Sequence, residues 1–221
     1  MKENEDGEII ERLKNEKSIT ALFKNIISFN MITIIAFYTN KRIANINTKT
    51  IKNAEYRTKM EKQKLNEVSV TEIFAYIGLL ILFGLGNKND VAIDLLWSDK
   101  SLVHFSYYAK ATMSRERYQL ISRYIAFDDI DTREKRKEKK FHKMEATFGM
   151  FKKALYLIIP LYYLCIDETL YAFRGCCSFR QFIPSKPARY GIKYWCLVDV
   201  TVGKLKLIIL NINLLPFLKV T

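Results

Sequence analysis

Pro160 separates two kinds of sequence, and that change constrains the fold more than any other feature of the chain. Upstream, apolar residues recur at helical spacing. Downstream, residues 162–166, 170–173 and 192–200 are rich in aromatic and β-branched side chains, the composition of strands. Helical segments first and strands after predict a mixed α+β fold, with a boundary expected near residue 150.

The helical half carries recognisable start signals. Ser18 is placed to cap a helix whose stripe is Ile19, Leu22, Phe23, Ile26 and Ile27. Residues 31–38 are β-branched and read as helix or strand. Ser69 and Glu72 form a capping box ahead of Ile73, Phe74, Ile77, Leu80, Ile81 and Phe83. That stretch is apolar almost all round, so it predicts a buried helix, closed by a left-handed cap at Gly86-Asn87. A short helix is expected within 90–97. Ser114 caps another that runs through Tyr118, Ile121 and Ile125, and residues 142–158 form a last amphipathic helix. In the tail after Gly203, Lys-Leu-Lys-Leu-Ile-Ile-Leu reads as a third strand.

Charge narrows the partner. The formal net charge is +13, and it is unevenly spread. Residues 41–64 carry eight bases and two acids, residues 109–153 thirteen bases and seven acids, and residues 174–193 five bases and no acid. Three basic blocks fit a polyanion partner, DNA or RNA. The run 133–140 reads as a solvated loop, or alternatively as a phosphate-contacting or nuclear-targeting segment. Cys165, Cys176, Cys177 and Cys196 contain no C-x-x-C pair, so no zinc site is expected, and they read as mostly buried reduced thiols. The longest apolar run, residues 73–86, is too short to span a bilayer, so no membrane association is expected.

Chemistry gathers between 164 and 200. Asp167 follows one apolar run and Asp199 ends another. Carboxylates on neighbouring strands suit Mg²⁺ or Mn²⁺, hard ions that take oxygen ligands, and the chain's two histidines, His104 and His142, make nitrogen ligation unlikely to dominate. Arg174, Arg180, Lys186, Arg189 and Lys193 follow Asp167 as candidate phosphate contacts. Pairing of Arg174 and Arg180 with Asp167 and Glu168 is the structural alternative.

Several segments resemble the piggyBac transposase family. They are Met113-Ser-Arg-Glu-Arg-Tyr-Gln-Leu-Ile-Ser-Arg-Tyr-Ile-Ala-Phe-Asp-Asp129, Ile166-Asp-Glu168, Phe173-Arg-Gly175, and Phe179-Arg-Gln-Phe-Ile-Pro-Ser-Lys-Pro-Ala-Arg-Tyr-Gly-Ile-Lys-Tyr-Trp195, with residues 74–98 similar too. The resemblance covers residues 66–203. It implies a cut-and-paste DNA transposase using three acids and divalent metal on a ribonuclease-H-like fold. Asp167 corresponds to the first acid, whereas Asp199 is not one of the three. Cys176 stands where the family usually has Arg.

The resemblance further implies three regions. Residues 1–65 form a poorly defined basic segment, and 66–150 a helical DNA-binding and dimerisation region. Residues 151–221 form the start of a truncated ribonuclease-H-like domain. The expected product is nuclear, binds DNA, forms a homodimer, uses no small-molecule substrate and is catalytically incomplete. An active transposase or nuclease within a longer chain, and a protein-interaction module or non-functional product, are the alternatives.

Overall fold

The computed structural model describes residues 18–52, 65–86, 91–98, 105–139, 141–156, 164–199 and 208–210. Expectations for Asn87, Asp90, Tyr162, Tyr163 and Val200 fall outside these residues. The architecture is mixed α+β. Helices α1 (Ile19–Ile26), α2 (Phe29–Lys52), α3 (Val70–Leu85), α4 (Ile93–Leu96), α5 (Phe105–Thr112), α6 (Arg115–Tyr124) and α7 (Glu145–Tyr156) precede strands β1 (Leu164–Ala172), β2 (Gln181–Phe182), β3 (Tyr190–Asp199) and β4 (Ile208–Leu210). The chain forms two compact units. A helical unit comprises residues 28–136 and 142–147, and a sheet unit comprises residues 1–27, 137–141 and 148–221. Among the described residues, no single helix is long and apolar enough to cross a membrane.

The helices begin where their caps predict. Ser18 Oγ accepts the Ala21 N–H, and Ser114 Oγ accepts the Arg117 N–H at 3.2 Å. The box at α3 closes in both directions: Ser69 Oγ takes the Glu72 N–H at 3.1 Å, and Glu72 Oε2 takes the Ser69 N–H at 2.8 Å. Residues 31–38 are helical, not extended. Met31, Ile32, Ile35, Ala36, Thr39 and Ile43 are buried at helical spacing along α2, so packing overrides the local β preference.

Two expectations fail in α3. It is not buried all round: Ile73, Tyr76, Leu79 and Phe83 face the core, while Leu80, Ile81 and Leu85 are exposed. Its end is not left-handed either, since Gly86 has φ −82°. Glycine lets the Phe105 ring approach there, since a Cβ would sit 2.5 Å from the ring and force it to shift. Tyr76, Phe83, Trp97 and Tyr118 pack as an aromatic cluster with centroids 4.9–6.0 Å apart, and the Trp97 Nε1–H is satisfied by the Met113 carbonyl at 3.0 Å.

Between α6 and α7 the chain folds around one buried carboxylate. Asp128, 3% exposed, accepts from Arg133 at 2.6 Å and Arg136 at 3.1 Å. Lys41 of α2 joins Asp129 at 2.7 Å and Asp131 at 2.8 Å. The basic run 133–140 is therefore not uniformly solvated: its two arginines hold a turn together.

In the sheet unit, β3 is central. It pairs antiparallel with β1, β2 and β4. β1 is one continuous strand rather than two short ones, and the tail's Ile208–Leu210 supplies the expected further strand. Gly191 on β3 lies against the Tyr171 backbone so closely that a Cβ would collide with its carbonyl. The thiols do not follow expectation. Cys165, on the edge strand β1, and Cys176, in the loop before β2, are exposed; Cys177 in the same loop is half-buried, and Cys196 on the central strand β3 is alone buried among the four.

Candidate nucleic-acid interface

Strand register decides which of the chemical residues meet. Along β1 and β3, Asp167 lies opposite Cys196, Glu168 opposite Trp195, and Leu164 opposite Asp199. Directly opposed residues share a face, and neighbours along a strand alternate. Positions 167, 169, 171, 190, 192, 194 and 196 therefore belong to one face, and positions 164, 168, 193, 195 and 199 to the other. Asp167 and Asp199 have opposite parity. The register separates the two acids that apolar-run endings had brought together in the sequence.

Asp167 is also not at a strand end. It is the fourth residue of β1 and is exposed, with Oδ1 accepting the Glu168 N–H at 2.7 Å. Glu168, on the opposite face, forms an ion pair with Lys193. The Lys193 ammonium also lies 4.5 Å from the centroid of Trp195. No group of three His, Cys, Asp or Glu suited to a metal occurs among the described residues. A divalent-metal centre needs several oxygen ligands, and this face presents one carboxylate. The described residues do not fit a complete centre, and no chemical step is derived through one.

The five candidate bases divide by what they touch. Lys193 is neutralised by Glu168, and Lys186 Nζ donates to the Glu168 carbonyl at 3.2 Å. Arg180 braces the preceding loop, donating to the carbonyls of Arg174 at 3.1 Å and Gly175 at 3.0 Å. Its guanidinium also lies 5.5 Å from the Tyr190 ring centroid. The expected alternative for Arg180, a carboxylate partner, is replaced by neutral carbonyls, and no carboxylate pairs with it among the described residues. Arg174 and Arg189 are exposed, and Arg189 holds φ +32°, a left-handed position unusual for a residue with a side chain.

Aromatic residues on Asp167's face were legible only as strand formers. Phe182 and Tyr190 face each other across β2 and β3 with ring centroids 4.7 Å apart, about half exposed, and Tyr171 is 67% exposed. Their sequence signal was the Phe-Ile-Pro-Ser-Lys-Pro-Ala-Arg-Tyr turn, which places two aromatics opposite each other around a tight reversal. Tyr194 is more enclosed; burial, then the nearby Tyr171 hydroxyl, pushes its own hydroxyl pKa up and keeps it neutral.

The helical unit has a cleft of about 500 Å³ lined in part by Asp94, Lys110, Arg115 and Glu116. Arg115 is paired there with Asp94 at 3.0 Å and Glu116 at 3.2 Å. Acids balance bases at this cleft, which makes it a poorer receptor for a polyanion than the acid-free segment 174–193.

Comparison with known proteins bears on the family and the fold. The family model described as Transposase IS4 matches residues 19–209. A solved structure, the cryo-EM structure of a piggyBac transposase synaptic complex with hairpin DNA, is similar with a TM-score of 0.71 and 27% sequence identity. The match covers 88% of this chain and 38% of that one, so the chain spans well under half the length of the protein it resembles.

Proposed function

The chain belongs to the piggyBac-type Transposase IS4 family, and from that premise we propose that it is a DNA-binding protein of transposase descent. In this reading it grips the phosphate backbone through the sheet unit, and this span does not assemble a cleavage centre by itself. The observation that carries the reading is a segment of five bases and no acid, most of them in the loops that flank β2 and lead into β3, on the sheet whose strand β1 carries the exposed carboxylate Asp167. The similar transposase is described in complex with DNA, which supports DNA as the partner here.

Arg174, Arg180 and Arg189 are the phosphate contacts in this proposal, since a guanidinium meets phosphate in a two-pronged geometry. Lys186 adds positive potential while bonding the β1 backbone, and Lys193, neutralised by Glu168, tethers β3 to β1. Asp167 is the first acid of the family's site. Membership implies divalent-metal dependence in general, Mg²⁺ or Mn²⁺, and such ions when bound stabilise the oxygens of a phosphodiester under attack. With one acid on the face, such ions are held weakly here. A ribonuclease-H-like origin of the sheet, a homodimer and a nuclear site of action complete the proposal.

Duplex DNA carrying terminal inverted repeats tests it. The full chain should retain the DNA at low salt and release it steeply as salt rises, because phosphate contacts displace counterions. Flat, salt-insensitive or absent retention rejects the DNA-binding reading. Incubation with Mn²⁺ should leave the DNA uncut; nicking that is lost in Asp167→Ala would show instead that this span is an active nuclease.

A further inference from the structure

The aromatic residues beside Asp167 call for an explanation that phosphate binding does not provide. Tyr171, Phe182 and Tyr190 sit on one face of the sheet and are 67%, 52% and 51% exposed. Exposing three large rings on adjacent strands is unfavourable in water unless something covers them. Their surroundings say what kind of partner that is. Arg180 lies over Tyr190, which packs against Phe182, so cation, ring and ring follow one another. Arg189, one residue before Tyr190, is held at a left-handed backbone angle, so the turn keeps a base there at some conformational cost. A flat, polarisable, anionic partner matches rings and charges together.

We propose that this face binds unpaired nucleotides of DNA, with bases stacked on Tyr190, Phe182 and Tyr171 and the backbone held by Arg180 and Arg189. This deepens the DNA-binding reading and rests on it. Paired bases in a duplex offer only their edges in the grooves, so ring stacking selects DNA in which a base has left the helix. The spacing is suitable: Tyr171 is four residues along β1 from Asp167, roughly 13 Å at strand rise. Stacked nucleotides repeat at roughly 3.4 Å, so the bound bases lie about four steps from the phosphate nearest Asp167.

The test uses the full chain and two oligonucleotides of equal length, one fully paired and one with a three-base bulge containing 2-aminopurine, whose fluorescence falls when it stacks. The wild-type protein should quench the probe and bind the bulged DNA about tenfold tighter than the paired DNA. Tyr190→Leu and Phe182→Leu should remove the quenching and the preference, while affinity for paired DNA stays within about twofold, set by the phosphate contacts. Tyr190→Trp should keep both. Equal binding of the two DNAs by wild-type protein, or quenching that survives both leucine variants, overturns the inference and leaves the DNA-binding reading standing. Failure to bind either DNA sinks the reading itself. If a leucine variant misfolds by circular dichroism, the wild-type comparison of bulged and paired DNA still decides. A leucine variant that instead changes the protein's mass in solution would assign the face to contact between copies of the chain and reject stacking.

Discussion

The helical unit encloses an apolar core that the described residues of the sheet unit lack. In the helical unit, Ile32, Ile43, Ile73 and Ile121 are at most 1% exposed and Tyr76, Phe83, Trp97 and Tyr118 pack among themselves, although Phe37, Leu85 and Tyr107 stay exposed. In the sheet unit, Ile166, Tyr171, Phe182 and Tyr190 are about half exposed or more, while Gly191 and Cys196 are the buried positions of β3 among residues whose side chains are described. Full burial of a large aliphatic side chain contributes about 1.5–3 kcal/mol, so stability is concentrated in the helices. The sheet is held mainly by its ladder and by tethers such as Lys193 to Glu168. One unit behaves as a scaffold, and the other keeps its chemistry at the surface, where a ligand reaches it.

The largest test of that contrast is truncation in each unit. Ile121→Ala should cost about 2–5 kcal/mol in denaturant unfolding, because the cavity it leaves is enclosed. Tyr171→Ala should cost no more than about 1 kcal/mol, since its ring is already in water. Equal costs would erase the distinction between scaffold and surface.

Next in size is the buried carboxylate of the helical unit. Asp128→Ala removes the buried carboxylate shared by Arg133 and Arg136, leaving Arg136 only its bonds to the carbonyls of Asp129 and His142 and to Thr132. The expected loss is about 3 kcal/mol, and Asp128→Asn should recover part of it. A loss below about 0.5 kcal/mol would mean the turn is held by other contacts.

A smaller, pH-dependent effect belongs to Glu72. The Arg117 guanidinium, at 2.6 Å, and then the Ser69 N–H hold its carboxyl below the usual range against a partial desolvation penalty. Its folded pKa is lowered, so its contribution is complete above about pH 4.3, the unfolded value, and is lost as pH falls through the folded value. The pair is one-third exposed on the Glu side, so the expected size is about 0.5–1 kcal/mol. Glu72→Gln should flatten the acid limb of the stability profile; an unchanged limb would assign acid sensitivity to other carboxylates.

Legibility in the sequence followed the range of the physics. Caps at Ser18, Ser69 and Ser114 are local hydrogen bonds, and each was readable from residues three apart. The helicity of residues 31–38 was ambiguous because burial of Ile32 and Ile35 against distant residues decides it. Exposure of Leu80, Ile81 and Leu85 was unreadable for the same reason: an apolar face predicts burial, but packing against distant residues decides which positions are covered. At the candidate site, the basic segment and Asp167 stand out in the linear chain. The parity that separates Asp167 from Asp199 needs the β1–β3 register, set by pairs 19 to 35 residues apart in the chain. The pairing of Lys193 with Glu168 depends on that same register, and the stack of Arg180, Tyr190 and Phe182 on the β2–β3 register.

The account stands or falls with the exposed arginines of the sheet unit. The direct measurement is the salt dependence of DNA affinity for the wild-type chain and for a triple variant, Arg174→Gln, Arg180→Gln and Arg189→Gly, glycine being chosen because it relieves the left-handed backbone at that position. Losing three phosphate contacts should lower the slope of log K against log salt by about 2–3, with the thermal unfolding of the helical unit unaltered. A slope that stays at the wild-type value would place the DNA-binding charge elsewhere on the molecule and contradict the division between scaffold and surface.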